Sequence, residues 1–138
     1  MIEEEENVKL KITAASPKEP VGWIATDLPK SVMTRLESYI EHAKEASSNI
    51  NSGLAGNISK SLNLEDKDNW FFETILIPLI DHFQKTYPVY LEKIGNVLTE
   101  EVPICLQHFW VNFQKENEFQ PPHNHIGVWS FVIWVKIP

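Results

Sequence analysis

Apolar residues in the first two thirds of the chain recur mainly at helical spacing. A short alternating stretch over residues 8–12 predicts a strand, and Pro29 then opens a helical pattern. A second helical pattern begins at Trp70, and Pro78 is expected to kink or divide that helix. The first helix is predicted to bury one face, formed by Val32, Leu36, Tyr39, Ile40 and Ala43.

The stretch between these helices, residues 47–68, is rich in Ser, Asn and Gly and predicts a long loop. A loop of this length in a compact domain is usually either disordered or functional. Its few apolar residues indicate that it packs against the rest of the protein. Beyond the second helix, Pro88 is predicted to start another helical turn that ends near Gly95.

The last third of the chain changes to strand-like patterns. Residues 103–113 are β-branched and aromatic and predict a strand with two alternating faces. Within it, Cys105 is expected to be a small buried hydrophobe. His108 is expected to be a core histidine, with pocket lining as the alternative. Residues 128–138 predict a second strand, which is apolar on both faces and therefore central in a sheet.

Helices followed by strands predict an α+β fold. The length of 138 residues suits one domain, with a strand and frayed terminus over 1–20, a helical part over 29–100 and strands over 102–138. The net charge of −7 argues against binding to nucleic acid or to an anionic membrane. One cysteine, no signal-peptide pattern and no apolar run of roughly 20 residues predict a cytoplasmic protein.

Two histidines one residue apart, His123 and His125, are the candidate chemistry of the chain. On a strand, Cα atoms at this spacing lie roughly 6.5–7 Å apart, so both imidazoles can reach one metal ion. Two histidines do not hold a catalytic metal tightly, and a third protein ligand is needed. The bare spacing is a weak signal and by itself favours two solvated loop histidines. The preceding Pro121 and Pro122 and the following apolar run favour a pair at the mouth of a sheet.

The closing stretch, FWVNFQKENEFQPPHNHIGVWSFVIWVKIP, combines a Trp-x-Asn strand, a polar turn, a His-x-His pair and an apolar strand that ends in proline. In this combination it resembles the Fe(II)/2-oxoglutarate-dependent dioxygenases, in particular the prolyl-hydroxylase-like branch of marine bacteria and their phages. The matching residues are Trp110, Asn112, His123, His125, Ser130, Trp134 and Pro138. Phe131 departs from the pattern, because glycine often follows the serine in the family.

The resemblance implies N-terminal helices packed on the first half of a double-stranded β-helix, or jelly roll, whose sheet is incomplete in this chain. It implies Fe(II) held by His123 and His125, with 2-oxoglutarate as cosubstrate and no catalytic side chain beyond the metal ligands. Loop 47–68 is a candidate lid. The residues implied to line the cosubstrate or substrate pocket are Trp110, Asn112, Ser130 and Trp134.

The family's distal histidine and its 2-oxoglutarate-binding arginine have no counterpart, since no histidine follows His125 and no arginine follows Arg35. We therefore expect this chain to be the N-terminal part of a longer oxygenase and to be inactive alone. The substrate of the oxygenase would be a small molecule or a protein side chain. Its uncovered sheet edge favours a homo-oligomer. The alternative is a catalytically silent jelly-roll binding or assembly module with structural or zinc-binding histidines.

Overall fold

The computed structural model describes residues 22–47, 49–54, 56–88 and 103–137. The predicted strand over 8–12 and the stretch around Gly95 lie outside these residues. The elements in chain order are helix α1 (Lys30–Ala46), strand β1 (Ser61–Asn63), helix α2 (Ile77–Thr86) and strand β2 (Trp110–Asn112). Helices with a two-stranded antiparallel sheet confirm the α+β class. The jelly roll stays a prediction.

Helix α1 confirms the first helical pattern. It begins directly after Pro29, whose carbonyl accepts a hydrogen bond from the N–H of Met33 at 3.1 Å. It ends at Ser47, which adopts a left-handed conformation (φ 53°) and donates its N–H to the carbonyl of Lys44. The buried face is the predicted one, formed by Val32, Leu36, Tyr39, Ile40 and Ala43.

The second helical pattern is also confirmed, with an irregular start. A π-helical segment, Phe72–Leu76, leads directly into α2. The change of helix type occurs one residue before Pro78, which has no N–H for the hydrogen-bond ladder. At the start of this helix, the carboxylate of Asp66 accepts hydrogen bonds from the N–H groups of Phe71 and Phe72, each at 2.8 Å. Asp66 therefore caps the helix from outside it.

Strand β1 lies inside the stretch that was predicted to be a loop, so that prediction is wrong for residues 61–63. Ser61 pairs with Asn112 of β2 in an antiparallel register. The buried hydroxyl of Ser61 donates to Oδ1 of Asn112 at 2.7 Å. Three residues with mostly polar side chains carry no strand signal in the sequence. Their strand conformation depends on the partner that the tertiary fold brings to them.

The core lies between α1, the start of the second helix and the short sheet. Phe71 is 1% exposed, and its ring stacks on that of Phe109 at 5.3 Å with an interplanar angle of 5°. Phe131 packs on both rings at centroid distances of 6.0 and 5.9 Å. The other buried members of this cluster are Val32, Leu36, Tyr39, Ile40, Ala43, Leu62, Leu64 and Leu76.

Two strand predictions need correction. Of the strand predicted over 103–113, only β2 forms. Both Cys105 and His108 are exposed, although burial was predicted for them. The reason is that the pairing with β1 and the flanking hydrogen bonds of Phe109 and Phe113 reach no residue before Phe109, so the preceding segment need not bury alternate side chains. The central strand over 128–138 is wrong as well, because residues 128–137 form no strand. A central strand needs hydrogen-bonded neighbours on both sides, and residues 129–137 make no backbone–backbone hydrogen bond within the described ranges.

Candidate functional site

The histidine pair follows a segment that is fixed by contacts with loop 47–68. Asn57 and Phe119 exchange two backbone hydrogen bonds, at 2.8 and 3.3 Å. Gly56 adopts a φ of +123°, and a Cβ there would lie 2.9 Å from the carbonyl oxygen of Phe119. Only glycine suits this conformation and this close approach. The loop therefore holds the chain in place immediately before Pro121.

Glu118 provides a second link between the loop and this segment. Its carboxylate accepts hydrogen bonds from the backbone N–H of Ser59 at 3.0 Å and of Lys115 at 2.9 Å. The hydrogen bonds from Ser59, and then that from Lys115, hold the pKa of Glu118 below its usual value. Sequence reasoning missed Glu118 because a charged turn residue looks like ordinary solvated surface. These bonds link loop 47–68 to the segment before the histidines, and its role as a lid stays a prediction.

The imidazole rings of His123 and His125 lie side by side, with centroids 4.7 Å apart and an interplanar angle of 52°. Nδ1 of His123 lies 2.8 Å from the carbonyl oxygen of Pro121. A carbonyl oxygen only accepts hydrogen bonds, so this contact requires a proton on Nδ1 and leaves Nε2 as the ring nitrogen that can face a metal. A hydrogen bond from the other ring nitrogen is the usual second contact of a metal-binding histidine.

Trp110 connects the pair to strand β2. Its ring stacks on that of His125 at 6.5 Å with an interplanar angle of 20°. The ring of His108 lies 6.5 Å from the same Trp110 ring in an edge-on orientation. Two exposed histidines, His108 and His125, therefore lie next to Trp110, and the exposed His123 contacts His125. The resemblance predicted the proximity of Trp110 to the pair, whereas His108 was expected in the core.

The other predicted pocket residues, Asn112, Ser130 and Trp134, lie in different surroundings from Trp110. Asn112 lies in β2 two residues from Trp110, and its amide oxygen is occupied by Ser61. Ser130 is exposed, and Trp134 is 74% exposed. Neither contacts the histidine rings in any aromatic pair or hydrogen bond of the described chain. The indole N–H of Trp129 is buried and has no acceptor among the described residues.

One small cavity, of about 110 Å³, lies at the end of α1 and next to β1, away from the histidine pair. It is lined by His42, Ala43, Ala46, Asn63 and Glu65. Over the described ranges, no group of three or more His, Cys, Asp or Glu side chains converges as a metal site. The pair therefore supplies two donors. Imidazole suits Fe, Zn, Cu and Ni, so the donor type fits Fe(II) without selecting it.

No helix in the described parts of the chain has the length and apolar character needed to cross a membrane. Comparisons with protein-family models, with curated proteins and with solved structures found no match to this chain.

Proposed function

We propose that this chain belongs to a non-haem iron oxygenase that hydroxylates its substrate with O₂ and 2-oxoglutarate, and that His123 and His125 hold the Fe(II). The observation that carries the proposal is the geometry of the pair. Two exposed rings lie 4.7 Å apart, and the carbonyl of Pro121 leaves Nε2 of His123 free for a metal. The reaction class comes from the resemblance of residues 102–138 to this family.

Bound Fe(II) would supply oxidation of a substrate C–H bond, coupled to decarboxylation of 2-oxoglutarate to succinate. The chain's own residues orient the donors. The carbonyl of Pro121 fixes the tautomer of His123, and the stacked ring of Trp110 limits rotation of His125. These contacts orient the two imidazole rings before the metal binds, which favours a defined ligand geometry.

Asn112 is the residue that we assign to the cosubstrate. Residues two apart on a strand face the same side, so its side chain shares a face with Trp110. Ser61 donates to the amide oxygen of Asn112, which leaves the amide nitrogen available to donate to a carboxylate. Ser130 and Trp134 stay proposed pocket residues on the resemblance alone.

The single arginine is not available as a second carboxylate anchor. The guanidinium of Arg35 lies 4.0 Å from the centre of the Trp70 ring, and its Nε donates to the hydroxyl of Tyr39 at 2.9 Å. With two candidate metal donors and no free arginine, the described residues lack the third ligand and the arginine that the resemblance implies for an oxygenase site. We therefore expect the 138-residue chain alone to produce no succinate from 2-oxoglutarate with Fe(II) and ascorbate.

A second candidate is a catalytically silent binding or assembly module, in which the histidines are structural or hold zinc. The row of exposed apolar side chains near the end of the described chain favours it. Val132, Trp134 and Ile137 are each 74% exposed, and Ile126 is 92% exposed. Exposed apolar patches on soluble proteins commonly mark interaction surfaces.

An anaerobic calorimetric titration of Fe(II), with and without 2-oxoglutarate, separates the two candidates. An oxygenase site should bind Fe(II) more tightly in the presence of 2-oxoglutarate, because a cosubstrate that ligates the bound metal is coupled to it reciprocally. His123→Ala and His125→Ala should each weaken Fe(II) binding at least about tenfold. His82→Ala, which removes an exposed histidine of α2, is the matched control and should change nothing.

Unchanged Fe(II) affinity in His123→Ala would refute the ligand assignment. Zinc binding that depends on both histidines but does not respond to 2-oxoglutarate would instead support the silent module.

A further inference from the structure

Two lysines from separate parts of the chain place their ammonium groups near one aromatic ring. Nζ of Lys44, near the end of α1, lies 5.5 Å from the centre of the Phe113 ring. Nζ of Lys60, immediately before β1, lies 5.0 Å from the same centre. The backbone N–H of Phe113 donates to the carbonyl of Lys60 at 2.9 Å, which fixes Lys60 next to this ring. The fold therefore brings two like charges together.

A carboxylate and a third lysine complete this cluster. Nζ of Lys44 donates to Oε1 of Glu41 at 2.7 Å, and this hydrogen bond is the main reason that the pKa of Glu41 lies below its usual value. The charges of Lys44, Lys136 and Lys60 add to the effect, so all three ammonium groups lie near this carboxylate. Lys60 and Lys136 are exposed, and neither forms an ion pair within the described ranges. The cluster therefore has three positive charges and one negative charge.

This local excess of positive charge differs from the rest of the protein. The chain has a net charge of −7, with 19 acidic residues against 12 Lys and Arg, so carboxylates are available in excess. Clustered ammonium groups repel each other, and a bound anion offsets that repulsion. Lysine is a compact point charge and a common ligand of phosphate groups. The acidic surface elsewhere repels a long polyanion, so the anion that fits this cluster is a small one.

We propose that Lys44, Lys60 and Lys136 form a binding site for a small ligand with a dianionic phosphate group. A phosphate monoester carries a charge of about −1.5 to −2 at neutral pH and has three acceptor oxygens, one for each ammonium group. Cation–π contact with Phe113 already holds two of these groups, so less ordering is needed when the anion binds. Glu41 competes with the phosphate for Lys44. None of these residues belongs to the proposed iron site, so the two proposals stand or fall separately.

Phosphate binding should be weak and should depend on salt. The three lysines are exposed, and each ion pair between exposed groups contributes little. We therefore expect a dissociation constant on the order of 1 mM for free phosphate at low ionic strength. The affinity should fall as salt is added, because the Debye length shortens from about 30 Å at 0.01 M to about 8 Å at physiological ionic strength.

A ¹H–¹⁵N NMR titration of the metal-free 138-residue chain tests the proposal. Inorganic phosphate at about pH 8, where it is mainly a dianion, should shift the amide signals of Lys60 and Phe113 until they saturate. Sodium chloride at the same ionic strength should not produce saturable shifts. Phosphoserine distinguishes the sources of the phosphate group. If phosphoserine binds more tightly than inorganic phosphate, the ligand is a phosphate monoester, and equal binding identifies free phosphate.

Charge-removing variants test the three lysines individually. Lys44→Gln, Lys60→Gln and Lys136→Gln should each weaken phosphate binding about threefold, and the double variant at Lys44 and Lys60 at least about tenfold. Lys85→Gln is the matched control. It removes one positive charge from α2, where exposed Lys85 pairs with Asp81 at 2.6 Å, and it should leave the phosphate affinity unchanged. Circular dichroism should show that every variant is folded.

Glu41→Gln gives the opposite effect and keeps the test independent of folding. It removes the carboxylate that competes for Lys44, so phosphate should bind about threefold more tightly. A variant that has lost its structure does not gain affinity. The proposal is overturned by shifts that chloride reproduces, by an unchanged affinity in the double lysine variant or in Glu41→Gln, or by an equal loss in Lys85→Gln and Lys60→Gln.

Discussion

The carboxylate of Asp66 is expected to stabilise the start of the second helix and, through it, the core. It accepts hydrogen bonds from the N–H groups of Phe71 and Phe72 at 2.8 Å each, and from the hydroxyl of Tyr39 at 3.3 Å. The first N–H groups of a helix have no partner within the helix. Because Phe71 is 1% exposed, little water can replace the carboxylate there. Asp66→Ala therefore leaves donors without an acceptor.

The size of this effect follows from the two short bonds. Loss of a helix N-cap costs about 1 kcal/mol and up to about 2 kcal/mol, and a hydrogen bond to a charged group contributes about 1.5–3 kcal/mol. One carboxylate makes both bonds, so the contributions overlap. We expect Asp66→Ala to lower the free energy of unfolding by about 2–3 kcal/mol. Asp66→Asn keeps one acceptor oxygen and should cost about 1 kcal/mol.

Urea unfolding followed by circular dichroism measures this difference. With a slope of about 1–3 kcal/mol per molar urea, the midpoint for Asp66→Ala should fall by roughly 1 M or more. Asp81→Ala is the control, because Asp81 makes only an exposed ion pair with Lys85 at 2.6 Å. Such a pair contributes about 0.5 kcal/mol or less. If the two variants unfold at the same urea concentration, the capping role of Asp66 is refuted.

Two further predictions concern the core and the turn before the histidines. Phe71→Ala should lower the free energy of unfolding by about 3–5 kcal/mol, because it removes a buried ring that stacks on Phe109. Urea unfolding checks this, and Trp23→Ala should be nearly neutral. Hydrogen bonds from Ser59 lower the pKa of Glu118 in the folded state. The carboxylate of Glu118 therefore stabilises the fold above its unfolded-state pKa, and this stabilisation is lost as the pH falls through the folded-state pKa. Glu118→Gln should therefore reduce the stability change between pH 7 and pH 3, and an unchanged pH dependence would contradict the hydrogen-bonded turn.

The helices could be predicted from the sequence because their pattern is local. Every third or fourth position of α1 is apolar, and these positions are the buried ones. The strands could not be predicted in the same way. Strand β1 consists of Ser61, Leu62 and Asn63, which have no strand pattern of their own and depend on β2. Conversely, the strongly apolar run over 128–137 has a strand pattern, but these residues do not form a strand.

The candidate site could be predicted in part. The spacing of His123 and His125 predicts two rings on one face of a strand; the rings are adjacent, but residues 123–125 form no strand. The contacts that hold them depend on chain conformation rather than on residue type. The carbonyl of Pro121 accepts from His123 only because the backbone turns back on itself, and Gly56 fits against Phe119 only in the folded chain. No residue pattern in the sequence indicates either contact.

The most direct test of the metal assignment is a ¹⁵N-edited NMR spectrum of the five histidine side chains during anaerobic Fe(II) titration. Our proposal predicts that the imidazole signals of His123 and His125 broaden first and together. It also predicts that the proton of His123 stays on Nδ1, where Pro121 holds it, so that Nε2 binds the metal. Equal broadening of His42 and His82, or no response of the pair at Fe(II) concentrations that saturate the calorimetric titration, would contradict the proposed iron half-site.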